Sequence, residues 1–292
     1  MKNLVLGATG FIGGALHRAL VMRGADVVPS LGRSMADLTF NGVWRDVMRA
    51  SAYDTVYMCA GMTGGSGLNP LHFVTDNAIM ALQCFRACAD AGVKRIVYMS
   101  STTGYPDSGR PMLEDEFFDG EPHPQYFSVG HTKRFIERLG AMYPQIETVF
   151  IRVSGVYGPG GDFDPQSSHV IEATIRKVAE RQDPIMVWGT GENQRDALYI
   201  DDLVTALVQA ARWPAGAYNV ATGQTMSVNA ILGLLCTIAK HEPRIMHDTT
   251  KPEMLAVRRL DCAKAHALGW QATVPMAAGL RRTFEWFEAQ RG

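Results

Sequence analysis

The sequence predicts an α/β fold in which a doubly wound parallel sheet carries a smaller C-terminal lobe. Three observations carry that prediction. Short apolar runs alternate with helical patterns through the first half of the chain. A glycine-rich turn joins the first run to the first helix. Beyond about residue 153 the regular alternation gives way to loops and short mixed elements. Apolar strands that alternate with helices imply a sheet covered on both faces.

Leu4-Val5-Leu6 is the first strand signal, and residues 12–23 follow with helical spacing at Ile12, Leu16, Ala19 and Leu20. Val27-Val28 and Thr55-Val56-Tyr57-Met58 are the second and third strands. Residues 76–91 read as a long helix with Ile79, Leu82, Phe85 and Ala89 on its apolar side. Arg95–Met99 is the fourth strand, 128–142 a helix, and Thr148–Ile151 the fifth strand. After the loop Tyr157-Gly158-Pro159-Gly160-Gly161 come a helix near 168–181, a strand at Ile185–Trp188 and a helix at 201–212 headed by the cap-like Asp201. Residues 1–155 are therefore expected to form a dinucleotide-binding core. Residues 156–292 are expected to form mainly a substrate-binding lobe, interleaved with that core.

Bulk composition narrows the function classes. Apolar residues make up 47% and charged residues 20% of 292 residues, enough for an ordinary soluble core. The net charge is −1 and the Lys and Arg residues are dispersed, which argues against nucleic acid or an anionic membrane as partner. No apolar run is long enough to span a bilayer, and residues 1–8 read as a strand rather than a leader. Five cysteines without a CxxC pair fit free thiols in a reducing compartment, so a cytoplasmic location is expected. His241 and His247 lack the helical HxxxH spacing, and no metal is assigned.

The strongest motif is Gly7-Ala8-Thr9-Gly10-Phe11-Ile12-Gly13. Glycines between a strand and a helix permit a tight turn and close backbone approach to a pyrophosphate, and the helix N-terminus attracts the anion. A Rossmann-type site for a nicotinamide dinucleotide is the reading. Gly7, Thr9, Gly10, Phe11, Ile12 and Gly13 are its candidate contacts. The stretch Val28–Ser34 offers no carboxylate for a ribose 2′-hydroxyl, while Arg33 could pair a 2′-phosphate. The cofactor is NADP or NAD, with a lean to NADP. Asp37 and Leu38 fall where adenine is often contacted in such folds, and Ala60 joins the cofactor set after the third strand.

Gly-Ala-Thr-Gly-Phe-Ile-Gly resembles the extended short-chain dehydrogenase/reductase family, which includes nucleotide-sugar epimerases and dehydratases. Val97–Ser101, the segment RVSGVYGP at Arg152–Pro159 and Val187–Gly191 strengthen the likeness. The loop at 56–65 and Asp162–Lys177 are similar to the GDP-fucose synthase branch. The resemblance spans about residues 1–210 and implies a nucleotide-sugar substrate, GDP- or another NDP-sugar. It places Ser101 beside the reacting sugar oxygen and Lys133 on the nicotinamide ribose. It makes His169 an acid–base group, with a ring whose ordinary pKa suits proton transfer near neutrality. It brings Trp188 and Arg195 toward the nucleotide and its diphosphate, where a guanidinium fork fits. It also implies a homodimer through the helices at 76–91 and 128–142.

The chain departs from the family pattern at three positions. The Tyr-x-x-x-Lys motif has Val129 where the catalytic phenol is expected. Thr103 replaces an epimerising Cys, and Gly155 a substrate-binding Asn. Three readings remain open. The first is a redox enzyme in which Tyr105, Tyr126, Thr103 or a water replaces the phenol. The second is a non-redox isomerase, epimerase or mutase on the same fold. The third is a non-catalytic NAD(P)-binding protein.

Overall fold

The computed structural model describes residues 2–31, 37–49, 52–62, 70–251 and 259–291. Its elements in chain order are β1 (Lys2–Leu6), α1 (Phe11–Met22), β2 (Asp26–Leu31), α2 (Asn41–Arg49), β3 (Thr55–Met58), α3 (Pro70–Asp90), β4 (Arg95–Met99), α4 (Phe127–Ala141), β5 (Glu147–Val153) and β6 (Gly155–Tyr157). They continue with α5 (Val170–Ala179), β7 (Ile185–Trp188), β8 (Gln194–Arg195), β9 (Ala197–Tyr199), α6 (Ile200–Ala210), β10 (Gly216–Val220), β11 (Met226–Ser227), α7 (Val228–Ala239), β12 (Ile245–Asp248), α8 (Ala263–Ala267) and α9 (Met276–Arg291).

Six parallel strands form the central sheet in the order β10-β5-β4-β3-β1-β2. Successive strand residues point to opposite faces, and two cores follow. Leu4, Leu6, Val56, Met58, Ile96 and Tyr98 pack against α2, α3 and α4. Val5, Tyr57, Val97, Met99, Val149 and Ile151 pack against α1 and α6. Both faces are dry, so the strands read as continuous apolar runs in the sequence.

The order reverses between β1 and β3, which flank each other while β2 lies on the outer side of β1. A crevice opens beyond the carboxyl ends of the strands at such a switch point. Gly7 and Ala60 meet there: a Cβ on Gly7 would stand 2.7 Å from the Ala60 backbone.

The sixth strand comes from the C-terminal half. β10 reads Gly-Ala-Tyr-Asn-Val, and its glycine and asparagine break the apolar run that marks the other strands. A third core joins α5, α7, α9 and β7 and also takes in the side chains of Phe11 and Ile12. The lobe is thus sewn to the glycine turn itself. α3 begins at Pro70, earlier than residue 76, and proline suits a first helical turn. α6 begins at Ile200 with Tyr199 in the cap position, so Asp201 is not the cap. Asp202 instead accepts hydrogen bonds from Thr273 N (3.1 Å), Thr273 Oγ1 (2.8 Å) and Val274 N (2.9 Å), fastening the C-terminal segment to α6.

Candidate active site

The dinucleotide loop is built by backbone constraints. Gly7 has φ of +80°, which a side chain rarely tolerates. A Cβ on Gly13 would lie 2.3 Å from the Gly7 carbonyl oxygen, so helix and strand are in contact there. Gly10 differs. It is exposed, extended (φ −83°, ψ 174°), and a Cβ on it would meet only the Gly7 oxygen, at 3.2 Å. Gly10 caps α1 without a side-chain hydrogen bond. The first-turn amides beginning at Phe11 and Ile12 are therefore available to an anion, with the helix dipole behind them. Thr9 is exposed beside this turn and Ala60 is half-buried across from it. This cradle fits the pyrophosphate of a dinucleotide.

The adenine side is less open than the sequence suggests. Leu38 is buried in the core, and its carbonyl accepts the Trp44 indole N–H at 2.8 Å. Asp37 Oδ1 accepts from Thr39 N (2.9 Å) and Thr39 Oγ1 (2.7 Å), closing a turn. Arg33 lies outside the described residues.

The end of β4 and the start of α4 carry the candidate reactive groups. Lys133 is half-buried, and its Nζ donates to the Met99 carbonyl at 2.9 Å, 5.6 Å from the centre of the Tyr98 ring. Burial pushes its ammonium down to about 8, against an opposing pull from Glu137. Ser101 caps the short 3-10 turn that follows β4, its Oγ accepting from Thr103 N at 3.2 Å. Thr103 Oγ1 is buried and has no hydrogen-bond partner among the described residues. Val129, one turn before Lys133, is 39% exposed, so an apolar side chain occupies the place of the missing phenol. His131 turns away to face Glu121 at 2.8 Å.

Of the two tyrosines offered as substitutes, Tyr105 is excluded. It is completely buried, donating to Asn219 Oδ1 at 2.6 Å and accepting from Arg152 Nη1 at 3.0 Å, and burial holds its phenol far above the ordinary value. Those bonds commit the hydroxyl to the protein interior. Tyr126 caps α4 and remains half-exposed.

The lobe supplies the remaining candidates. His169 is exposed in the cap position of α5, and its side chain does not cap that helix. Trp188 is 60% exposed at the end of β7, with Lys251 Nζ 5.6 Å from its ring centre. Arg195 is half-buried in β8. Burial pushes its guanidinium down, and the neighbouring Tyr126 opposes that shift. Gly155 is exposed, with only the Asp196 carbonyl at 3.6 Å from the place of a Cβ, so a larger residue would fit.

Sequence reasoning missed three buried carboxylates. Glu137 is clamped by Arg152. Asp196, beside Arg195, accepts from Thr222 N (3.0 Å), Thr222 Oγ1 (2.8 Å) and Gly223 N (2.9 Å). Glu172 lies 3% exposed under Gly161, and burial pushes it up to about 7. The available signal was an acid on an apolar helix face. Glu137 follows Ile136 one turn past Lys133, and Glu172 follows Ile171.

Comparison with known proteins agrees with this layout. Residues 3–221 match the NAD dependent epimerase/dehydratase family. GDP-L-fucose synthase of Escherichia coli is 25% identical over 309 aligned residues, covering 98% of this chain and 96% of that protein. A dTDP-4-dehydro-6-deoxy-D-allose reductase of Streptomyces is 27% identical, covering 99% and 96%. The NADP-bound crystal structure of a GDP-L-fucose synthetase from Naegleria fowleri superimposes with a TM-score of 0.91 at 21% identity, covering 99% of this chain and 93% of that one. With a parallel sheet, an uncapped glycine turn at its switch point and a matching span of 3–221, the chain belongs to the NAD dependent epimerase/dehydratase family.

Proposed function

We propose that the protein modifies a nucleotide sugar, GDP-linked or on another nucleoside diphosphate, by epimerase/reductase chemistry with NADP or NAD. One observation carries this reading. A half-buried lysine of α4 reaches the end of β4, where a half-buried serine stands, on the same carboxyl edge of the sheet as the glycine cradle. When bound, the nicotinamide supplies or accepts a hydride. The chain does the rest. Gly7–Gly13 and the first turn of α1 hold the pyrophosphate. Lys133 donates to the nicotinamide ribose. Ser101 presents its hydroxyl to the sugar oxygen, with Thr103 beside it in the same turn. His169 moves the proton, and Arg195 pairs with the diphosphate while Trp188 covers the nucleotide.

Mass spectrometry of small molecules released from purified protein, followed by calorimetric titration with NADP+ and NAD+, tests the reading directly. A protein that carries neither dinucleotide and binds neither would remove it.

A second reading is favoured by Val129. An isomerase without net redox needs no phenol at that position, and Val129 stands there exposed and apolar. A change in nicotinamide absorbance during turnover separates the two. In either case a homodimer is proposed, with Leu82 of α3 (43% exposed) and Phe135 of α4 (46% exposed) as apolar contacts awaiting a partner. Light scattering at micromolar concentration is expected to give twice the chain mass.

A further inference from the structure

The junction of β4 and α4 is stapled twice. Met99 accepts the Lys133 ammonium at 2.9 Å, and the next residue, Ser100, donates through Oγ to Glu137 Oε1 at 2.6 Å. Lys133 and Glu137 are one turn apart on α4 and share a face. Behind them Arg152 of β5 grips Glu137 through Nε to Oε1 (3.0 Å), Nε to Oε2 (3.2 Å) and Nη2 to Oε2 (2.6 Å). Arg152 is 3% exposed and Glu137 6% exposed. The chain of bonds runs on to Tyr105 and Asn219, whose amide donates to Met112 O at 3.0 Å and Asp261 O at 2.9 Å.

Such a buried pair is weak evidence for stability, because desolvation offsets much of the attraction. Its placement is more informative. One carboxylate faces two cations, Arg152 by direct contact and Lys133 from the preceding turn. An interior lysine is otherwise driven toward its neutral form.

We propose that Glu137 is a positioning residue for Lys133: held rigid by Ser100 and Arg152, it keeps the lysine side chain charged and aimed along the end of β4. This rests on the reading that Lys133 donates to the dinucleotide. At this junction burial brings Lys133 down to about 8. Tyr98 on β4 is raised far above its ordinary value by burial. Cys84 on α3, which acts on Tyr98, is also raised, by its hydrogen bond to Cys88 and by burial. Glu137 itself is committed to Arg152 on β5, and Glu114 acts on Tyr105 rather than on Lys133.

The test is the pH dependence of dinucleotide affinity. NADP+ and NAD+ are titrated into wild type, Glu137→Gln and Ser100→Ala between pH 6 and pH 9. Wild-type affinity is expected to fall as pH rises through about 8, where Lys133 loses its proton. Glu137→Gln is expected to bind within about twofold of wild type at pH 6 and severalfold more weakly at pH 8, because its lysine discharges earlier. Ser100→Ala keeps the Arg152 grip and is expected to shift the curve the same way by less. A merely structural carboxylate would weaken binding equally at both pH values. Equal weakening, or an unmoved curve, overturns the proposal. If Glu137→Gln does not fold, the direction of the Ser100→Ala shift decides. If wild type binds neither dinucleotide, it is the functional reading that fails.

Discussion

At the end of β1, glycines are fixed by distances between backbone atoms. At the end of β4, the candidate groups are side chains whose partners come from elsewhere in the chain. The two regions share one edge of one sheet. In the first, a Cβ on Gly13 would enter the space of the Gly7 oxygen, so the residue type is dictated by covalent geometry. In the second, Val129 replaces a phenol without disturbing α4, and Tyr105 has turned into the core. A turn packed backbone to backbone, as at Gly7 and Gly13, leaves no room for a side chain. A candidate site made of side chains can change while the fold persists.

The largest expected effect separates packing glycines from a ligand-facing one. Gly13→Val places carbon against backbone at 2.3 Å and is expected to cost more than about 3 kcal/mol in urea unfolding. Gly10→Val meets the Gly7 oxygen at 3.2 Å and fills the space above the α1 amides. It is expected to fold and to lose about 100-fold or more in dinucleotide affinity by calorimetry. Wild-type affinity in Gly10→Val would remove the cradle.

Next comes His169→Asn. General acid–base assistance is worth about 10²–10⁴-fold, so at least about a tenfold loss of turnover on the true substrate is expected with cofactor affinity unchanged. Full activity would move attention to Tyr126, the half-exposed phenol that caps α4.

Val129→Tyr sharpens the same question. Its exposed site admits the ring. A reductase working with a makeshift acid should keep or gain rate, while a non-redox isomerase should gain nothing and lose rate if the ring crowds the sugar.

The smallest effect concerns Glu172. Its folded value is raised to about 7 from an ordinary 4.5, first by burial and then by Asp162. The folded state therefore holds its proton longer than the unfolded chain. No cost exists below the ordinary value, and the cost grows between about 4.5 and 7 and is complete above that. Glu172→Gln should raise Tm by a few degrees more at pH 8 than at pH 5, within a limit of about 3 kcal/mol. Equal shifts at both pH values would mean that the carboxyl is not desolvated.

Most of the sheet was legible because strand and helix signals are local. β1, β3, β4 and β7 fall where their apolar runs lie, and α1 starts within one residue of its periodic pattern. The glycine spacing carried the cradle for the same reason, since all its contacts lie within a few residues or at the end of a neighbouring strand. Lys133 was singled out by the resemblance to the family, on the helix that follows β4. Tyr105 was misjudged because its fate depends on Asn219, 114 positions away.

The sequence by itself determined the alternation of strands and helices, the glycine turn and the absence of a phenol at Val129. Only the tertiary structure decided that β10 closes the sheet, that Tyr105 is buried, that Leu38 belongs to the core, and that Arg152 grips Glu137 one turn from Lys133. The physical reason is the range of the forces involved. Propensity, spacing and backbone sterics act within a segment and are written in its residues. Desolvation and ion pairing depend on which distant segments the fold brings into the same dry space.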